Sequence, residues 1–202
     1  VIDLAAGTGK LTTGLLALGL EVTAVEPDAE MRSEFTRHHP DVPVLDGTAE
    51  RIPLPDRSAD AVLAGQAFHW FDPVPALTEI ARVLRPGGFV AGLWNSNDRS
   101  VPWVAEFARI SGFVQRGSTN ARLADHPAFG PFERRTFRHA HRRTAESLVE
   151  TLFTHSALLV APEPERDEIR KRVREFLGTH PDTAAGEFDL PLETTVLRGE
   201  RR

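Results

Sequence analysis

Apolar and polar positions in the first half of this chain switch repeatedly between two rhythms. Val1-Ile2-Asp3-Leu4 is a short apolar run interrupted by a carboxylate, and Leu11, Leu15, Leu16 and Leu18 then recur at helical spacing. Strand, tight turn and helix is the reading, with Ala5-Ala6-Gly7-Thr8-Gly9 as the turn. Glu21 to Glu26 alternates and is apolar enough for a second, buried strand. Asp28 suits a helix N-cap, Glu30 complements the macrodipole, and Met31 and Phe35, four apart, share a face. Pro40 stops that helix, and the histidines before it, His38 and His39, read as solvated side chains at a helix end. Val42 to Leu45 predicts a third strand and Asp60 to Gln66 a fourth. Pro75 opens a helix with Leu77, Ile80, Ala81 and Leu84 on the stripe that packs against a sheet. Pro86-Gly87-Gly88 is expected to end it before a fifth strand, Phe89 to Asn95. Such alternation predicts an α/β fold with a parallel sheet covered on both faces.

Beyond Asn95 the rhythm changes. Val101 to Val114 predicts a helix, Gly117 to Pro131 a loop-rich connection, and Phe132 to Arg143 an extended strand with Phe137, His139 and His141 on one face. Thr144 to Leu158 and Pro164 to Leu177 predict two more helices, the second burying Ile169, Val173, Phe176 and Leu177. Phe188 to Arg198 returns as a final strand.

Composition narrows the chemistry. A chain of 202 residues buries most of its apolar surface without covalent staples, and it has no cysteine. Disulfide frameworks, thiolate metal sites and cysteine nucleophiles are excluded, which fits a reducing cytoplasm. The net charge of -5 gives no broadly basic surface for a nucleic acid. No apolar run approaches the ~20 residues that cross a bilayer, so no membrane partner is expected. Val1 is not methionine and already lies within the first strand, so an upstream segment is expected to precede it. No motif sets an oligomeric state.

The glycine turn is the first candidate for chemistry, because turns after the first strand of an open α/β sheet lie at the ligand crevice. A phosphate loop needs glycine, four residues, then Gly-Lys-Ser/Thr; here Leu4 and Leu11 break that pattern. A dinucleotide turn needs a third glycine, and Thr12 stands there. Asp3 would repel a pyrophosphate and attract an ammonium group. Glu26, at the end of the second strand and about 20 residues beyond the turn, stands where an acid holds the ribose hydroxyls of an adenosine. A nucleoside with a cationic tail and no phosphate matches both carboxylates.

Four motifs in order carry a family resemblance. Asp3-x-Ala5-x-Gly7-x-Gly9, Val25-Glu26-Pro27-Asp28 with Met31, Gly47-Thr48-Ala49-Glu50 with Pro53 and Pro55, and Leu84-Arg85-Pro86-Gly87-Gly88 resemble the class I S-adenosylmethionine-dependent methyltransferases of the type 11, small-molecule kind. Ala5 departs from that pattern, which has glycine there. The resemblance is strong over the first half of the chain and loose over the second. It implies a Rossmann-like, doubly wound, mostly parallel seven-stranded sheet with an antiparallel last strand, helices on both faces, and one methyltransferase domain over 1–202. It also implies lid helices in the upstream segment. The family's last two strands form a near-direct hairpin, so the roughly 45 residues between them here, 144–187, read as a helical insert that helps wall the substrate pocket. Cofactor contacts carried over by the resemblance are Asp3, Ala5, Gly7, Gly9, Glu26, Pro27, Met31, Thr48, Ala49, Glu50, Gln66 and Ala67. The implied cofactor is S-adenosyl-L-methionine, with S-adenosyl-L-homocysteine as product and a small molecule as methyl acceptor.

Gln66-Ala67-Phe68-His69-Trp70-Phe71 follows the fourth strand. Aromatic faces there favour a sulfonium by roughly 0.5 to 2 kcal/mol through cation-π contact, although Phe68, Trp70 and Phe71 equally suit a core. His69 is the one general-base candidate, because a free imidazole, with a pKa near 6.5, suits deprotonation of a hydroxyl or amine; a structural histidine is the competing reading. Methyl transfer from a sulfonium is a direct displacement, so no triad or acid pair is required. No metal site is expected, since His139 and His141 lack a third ligand. Two alternatives stand beside the methyltransferase: a non-catalytic binder of the same cofactor, and an NAD-dependent oxidoreductase, disfavoured by Thr12 and Asp3.

Overall fold

A computed structural model describes residues 1–112, 123–153, 158 and 161–202. The end of the helix expected over 101–114, part of the connection 117–131 and the end of the helix expected over 144–158 lie outside the described residues. Elements follow as β1 (Ile2–Leu4), α1 (Lys10–Ala17), β2 (Thr23–Val25), α2 (Ala29–His38), β3 (Val44–Leu45), β4 (Ala59–Gly65), α3 (Pro73–Val83) and β5 (Leu84–Asn97). After these come α4 (Pro102–Ser111), β6 (Glu133–Thr144), α5 (Ala145–Leu152), α6 (Glu163–Thr179) and β7 (Glu187–Glu200).

Seven strands form one sheet in the order β3-β2-β1-β4-β5-β7-β6. The β1–β2, β2–β3, β1–β4 and β4–β5 pairs are parallel. Against β5, β7 runs the other way: Asp98 N donates to Pro191 O (2.9 Å), while Arg201 N donates to Gly88 O (2.7 Å). This is the Rossmann-like, mostly parallel sheet with an antiparallel last strand, and α5 and α6 stand between β6 and β7.

The helix starts have local causes. Asp28 caps α2 by accepting from Met31 N (2.8 Å), and Thr144 and Ser147 bond reciprocally as a capping box for α5. One boundary differs from the sequence expectation. Leu84 has already turned to extended backbone, and Arg85-Pro86-Gly87-Gly88 belongs to β5. Gly87 N donates to Arg201 O (3.3 Å), so a partner more than a hundred positions away draws a nominal turn into the sheet.

The chain forms two compact units. One comprises Val1–Trp94, Thr119–Thr136 and Thr195–Arg202. Its core packs Ile2, Leu4, Val25, Val62 and Val90 of the strands against Leu77 and Ile80 of α3. The other comprises Asn95–Ser118 and Phe137–Thr194. There α4, α5 and α6 enclose Val104, Phe107, Leu148, Val173 and Leu177, and Trp103 meets Phe188 of β7 edge-on at 5.7 Å. Thus α5 and α6 pack with α4 in one core.

Candidate active site

The tips of β1 and β2 are neighbours because Asp3 pairs with Ala24 and Leu4 with Val25. Glu26, one residue past β2, is 7% exposed and bridges the corner. Its Oε2 accepts from Gly7 N and its Oε1 from Asp28 N, both at 2.9 Å. The carboxylate therefore holds the glycine turn and the approach to α2 together. Each oxygen keeps a lone pair for a further donor.

Asp3 is 1% exposed. Its Oδ2 accepts the Thr12 hydroxyl at 2.6 Å, while its buried Oδ1 has no hydrogen-bond partner among the described residues. Burial pushes its carboxyl up from 3.8 to about 6, against the hydrogen bonds from Thr12, with the nearby Glu26 charge adding to the rise. A buried carboxylate with one open oxygen is costly without a ligand and suits a cationic donor. Ala5, Gly7 and Gly9 all take left-handed backbone, with φ of 55°, 56° and 88°. At Ala5, where glycine would be free of strain, the left-handed backbone is carried by a residue with a Cβ.

The segment after β3 is held from several sides. Thr48 and Arg51 form an antiparallel bridge, Ala49 is buried, and a Cβ on Gly47 would lie 2.5 Å from Pro53 Cδ. Glu50 Oε1 accepts from Asp72 N (2.9 Å), tying this loop to the start of α3. From α3, Glu79 accepts from Ile52 N, and Arg82 donates to the carbonyls of Ile52 and Leu54. Gln66, at the tip of β4, has φ of 58° and donates its N–H to Leu93 O (2.8 Å); Ala67 beside it is buried.

Asp3, Ala5, Gly7, Gly9 and Glu26 thus share one corner, and Pro27 joins it through its carbonyl, which accepts from Arg32 (2.7 Å). Thr48, Ala49 and Glu50 form a separate loop beyond β3. Met31, in the first turn of α2, is 46% exposed. His69 is exposed on a short 3-10 turn, Phe68–Trp70, with its ring 4.9 Å from that of Trp70. Trp70 is 79% exposed, which removes it from the core, whereas Phe68 packs on Trp94 and Phe71.

Sequence reading missed the supports. Thr12, noticed only as a missing glycine, is the partner of Asp3. Arg32 donates to the carbonyls of Glu26 and Pro27 and pairs with Asp46 at 3.2 Å. His39, read as solvated, lies against Gly9. The spacing of Thr12 from Asp3, one turn into α1, was the only local signal available.

Strand order and the glycine corner define a Rossmann-like domain of the kind that binds a nucleoside at the tips of β1 and β2. A family model described as a methyltransferase domain matches residues 2–92. An uncharacterized methyltransferase of Mycobacterium tuberculosis is 40% identical over 199 residues, covering 98% of this chain and 82% of the relative. One from Schizosaccharomyces pombe is 34% identical over 208 residues, covering all of this chain and 83% of the relative. The solved structure of a putative type II methyltransferase from Anaeromyxobacter dehalogenans superposes with a TM-score of 0.70 at 25% identity, covering 99% and 88% of the two chains. The chain belongs to the class I S-adenosylmethionine-dependent methyltransferases. Among the described residues no helix is long and apolar enough to cross a membrane.

Proposed function

We infer that the β1–β2 corner takes S-adenosyl-L-methionine and that the enzyme transfers its methyl group to a small-molecule acceptor by direct displacement. The observation that carries this reading is the buried Asp3 carboxylate with one oxygen unpartnered among the described residues, set beside the bridging carboxylate of Glu26. An amino group suits Asp3 Oδ1, and a ribose diol suits the remaining lone pairs of Glu26. Gly7, where a Cβ would meet no atom within 4 Å, gives the backbone close approach, and Gly9 and Ala5 share its left-handed turn geometry. Pro27 and Met31 line the ribose side, Thr48, Ala49 and Glu50 the adenine side, and Gln66 and Ala67 the methionine part.

When bound, the cofactor supplies a methyl group already activated on a sulfonium. The protein's work is then placement, water exclusion and, for a protic acceptor, removal of a proton. His69 is assigned that last role, and the helical insert at 144–187 is assigned acceptor recognition. A carboxylate acceptor would dispense with the base. The reading includes a cytoplasmic setting, in keeping with a chain free of cysteine.

Calorimetry against S-adenosyl-L-homocysteine and NAD tests the site: binding of the first and not the second is expected, and the reverse order would overturn it. A labelled-methyl screen over small phenols, amines and carboxylates then identifies the acceptor. His69→Ala should lower turnover while leaving cofactor affinity within about twofold; an unchanged rate would remove His69 from the chemistry.

A further inference from the structure

We propose that His39, at the end of α2, is a positioning residue for the cofactor turn. Its ring fills the space left open at Gly9, and its Nε2–H holds the first turn of α1 in place.

Gly9 has φ of +88°, and a Cβ there would lie 2.4 Å from His39 Cδ2 and 2.6 Å from Nε2. The ring thus occupies the volume that the absence of a side chain leaves. His39 Nε2 is 3.1 Å from Gly9 O and 3.2 Å from Thr13 Oγ1. The Thr13 hydroxyl gives its single proton to Gly9 O at 3.1 Å. Both oxygens therefore act as acceptors toward the imidazole, which fixes the hydrogen on Nε2.

The ring is itself held. Phe35, fully buried, backs it at a centroid distance of 5.1 Å. His39 N donates to Phe35 O (2.8 Å), and His39 O accepts from Val42 N (3.1 Å). The adjacent His38 is different: its side chain is exposed and its Nδ1 lies 2.9 Å from Glu34 O of its own helix. Glu26 grips Gly7 ahead of α2 and His39 grips Gly9 behind it, so the glycine turn is clamped from both ends of one helix.

Only the affinity readout rests on the cofactor reading above. The direct readout is amide hydrogen exchange in the ligand-free protein at Gly9 and Thr13, whose N–H groups bond to Ala6 O and Gly9 O. His39→Ala should speed exchange at those two amides and leave Ala24 and Val62 of the central strands unchanged. His39→Gln, which returns an amide donor at similar reach, should restore protection, and His39→Phe, which fills the space without a donor, should not. Affinity for S-adenosyl-L-homocysteine should fall about tenfold in the Ala and Phe variants and stay within about twofold in Gln. Gly9→Ala should lose more affinity in the wild-type background than beside His39→Ala, because the collision with the ring is then gone.

Unchanged exchange at Gly9 and Thr13 in His39→Ala overturns the proposal, as does equal loosening of every strand or equal rescue by Phe and Gln. If the wild-type protein binds no S-adenosyl-L-homocysteine, the cofactor reading falls, and the exchange result still decides the role of His39.

Discussion

Two buried aspartates, one in each compact unit, have opposite surroundings. Asp98 is 5% exposed and fully engaged: its Oδ1 accepts from Ser100 N and Oγ at 3.0 and 2.6 Å, and its Oδ2 faces Arg138 Nε at 3.3 Å. The Ser100 hydroxyl, with the Ser100 amide and the Arg138 charge behind it, holds this carboxyl below its ordinary range. Among the described residues Asp3 has Thr12 alone as a hydrogen-bond partner and keeps Oδ1 unpartnered, and it is pushed up to about 6. A satisfied buried carboxylate does structural work within its own unit. One left open carries an unmet desolvation cost, which persists in a native protein where function uses it.

Substituting the two should separate these roles. Asp3→Asn is expected to weaken binding of S-adenosyl-L-homocysteine between about tenfold and a hundredfold, since a charged hydrogen bond is lost, without lowering the ligand-free melting temperature at neutral pH. Asp98→Ala should do the reverse. About 2 kcal/mol of stability goes as Ser100 and Arg138 lose their acceptor, while cofactor affinity stays within about twofold. Calorimetry and melting curves on the same preparations decide it, and matched effects of the two variants on both readouts would erase the distinction.

The pH dependence sharpens the contrast because its signs differ. The raised value means that folded Asp3 holds its proton more tightly than the unfolded chain does. The linked stability is complete below about pH 4 and is lost as pH rises through about 6, roughly 3 kcal/mol for a rise of this size. Asp98 contributes in the other direction: its stability is present above the unfolded value near 4 and is lost as pH falls through its depressed folded value. A cationic ligand needs ionised Asp3, so affinity should be flat near pH 7.5 and fall about tenfold per unit below pH 6, a dependence that Asp3→Asn removes.

The smallest expected effect is at Ala5. Its φ of 55° strains a residue with a Cβ, so Ala5→Gly should raise stability by about 1 kcal/mol, offset in part by the added freedom of the unfolded chain. A lowered melting temperature would show that the methyl group packs usefully.

Residues whose placement depends on near neighbours were readable from the chain. Asp3 and the glycines belong to one strand-turn-helix, and Glu26 closes the next strand, so spacing and charge sufficed to pair them. The Asp28 cap was legible for the same reason. Positions that were misread or passed over had distant partners. His39 meets Gly9 across 30 positions, Arg82 holds Ile52 across another 30, and Gly87 joins a strand whose partner, Arg201, is more than a hundred residues on. Trp70 was ambiguous because hydrophobicity alone does not distinguish a core ring from an exposed one.

By itself, the sequence determined the alternation of strands and helices, the glycine corner and the sign of the charges placed there. All of these follow from short-range periodicity and residue chemistry. Tertiary structure decided which carboxylate oxygen is left unpartnered, which histidine supports the turn and where β5 begins. Burial and hydrogen-bond satisfaction are properties of packing, and packing joins residues that no local window of the chain contains.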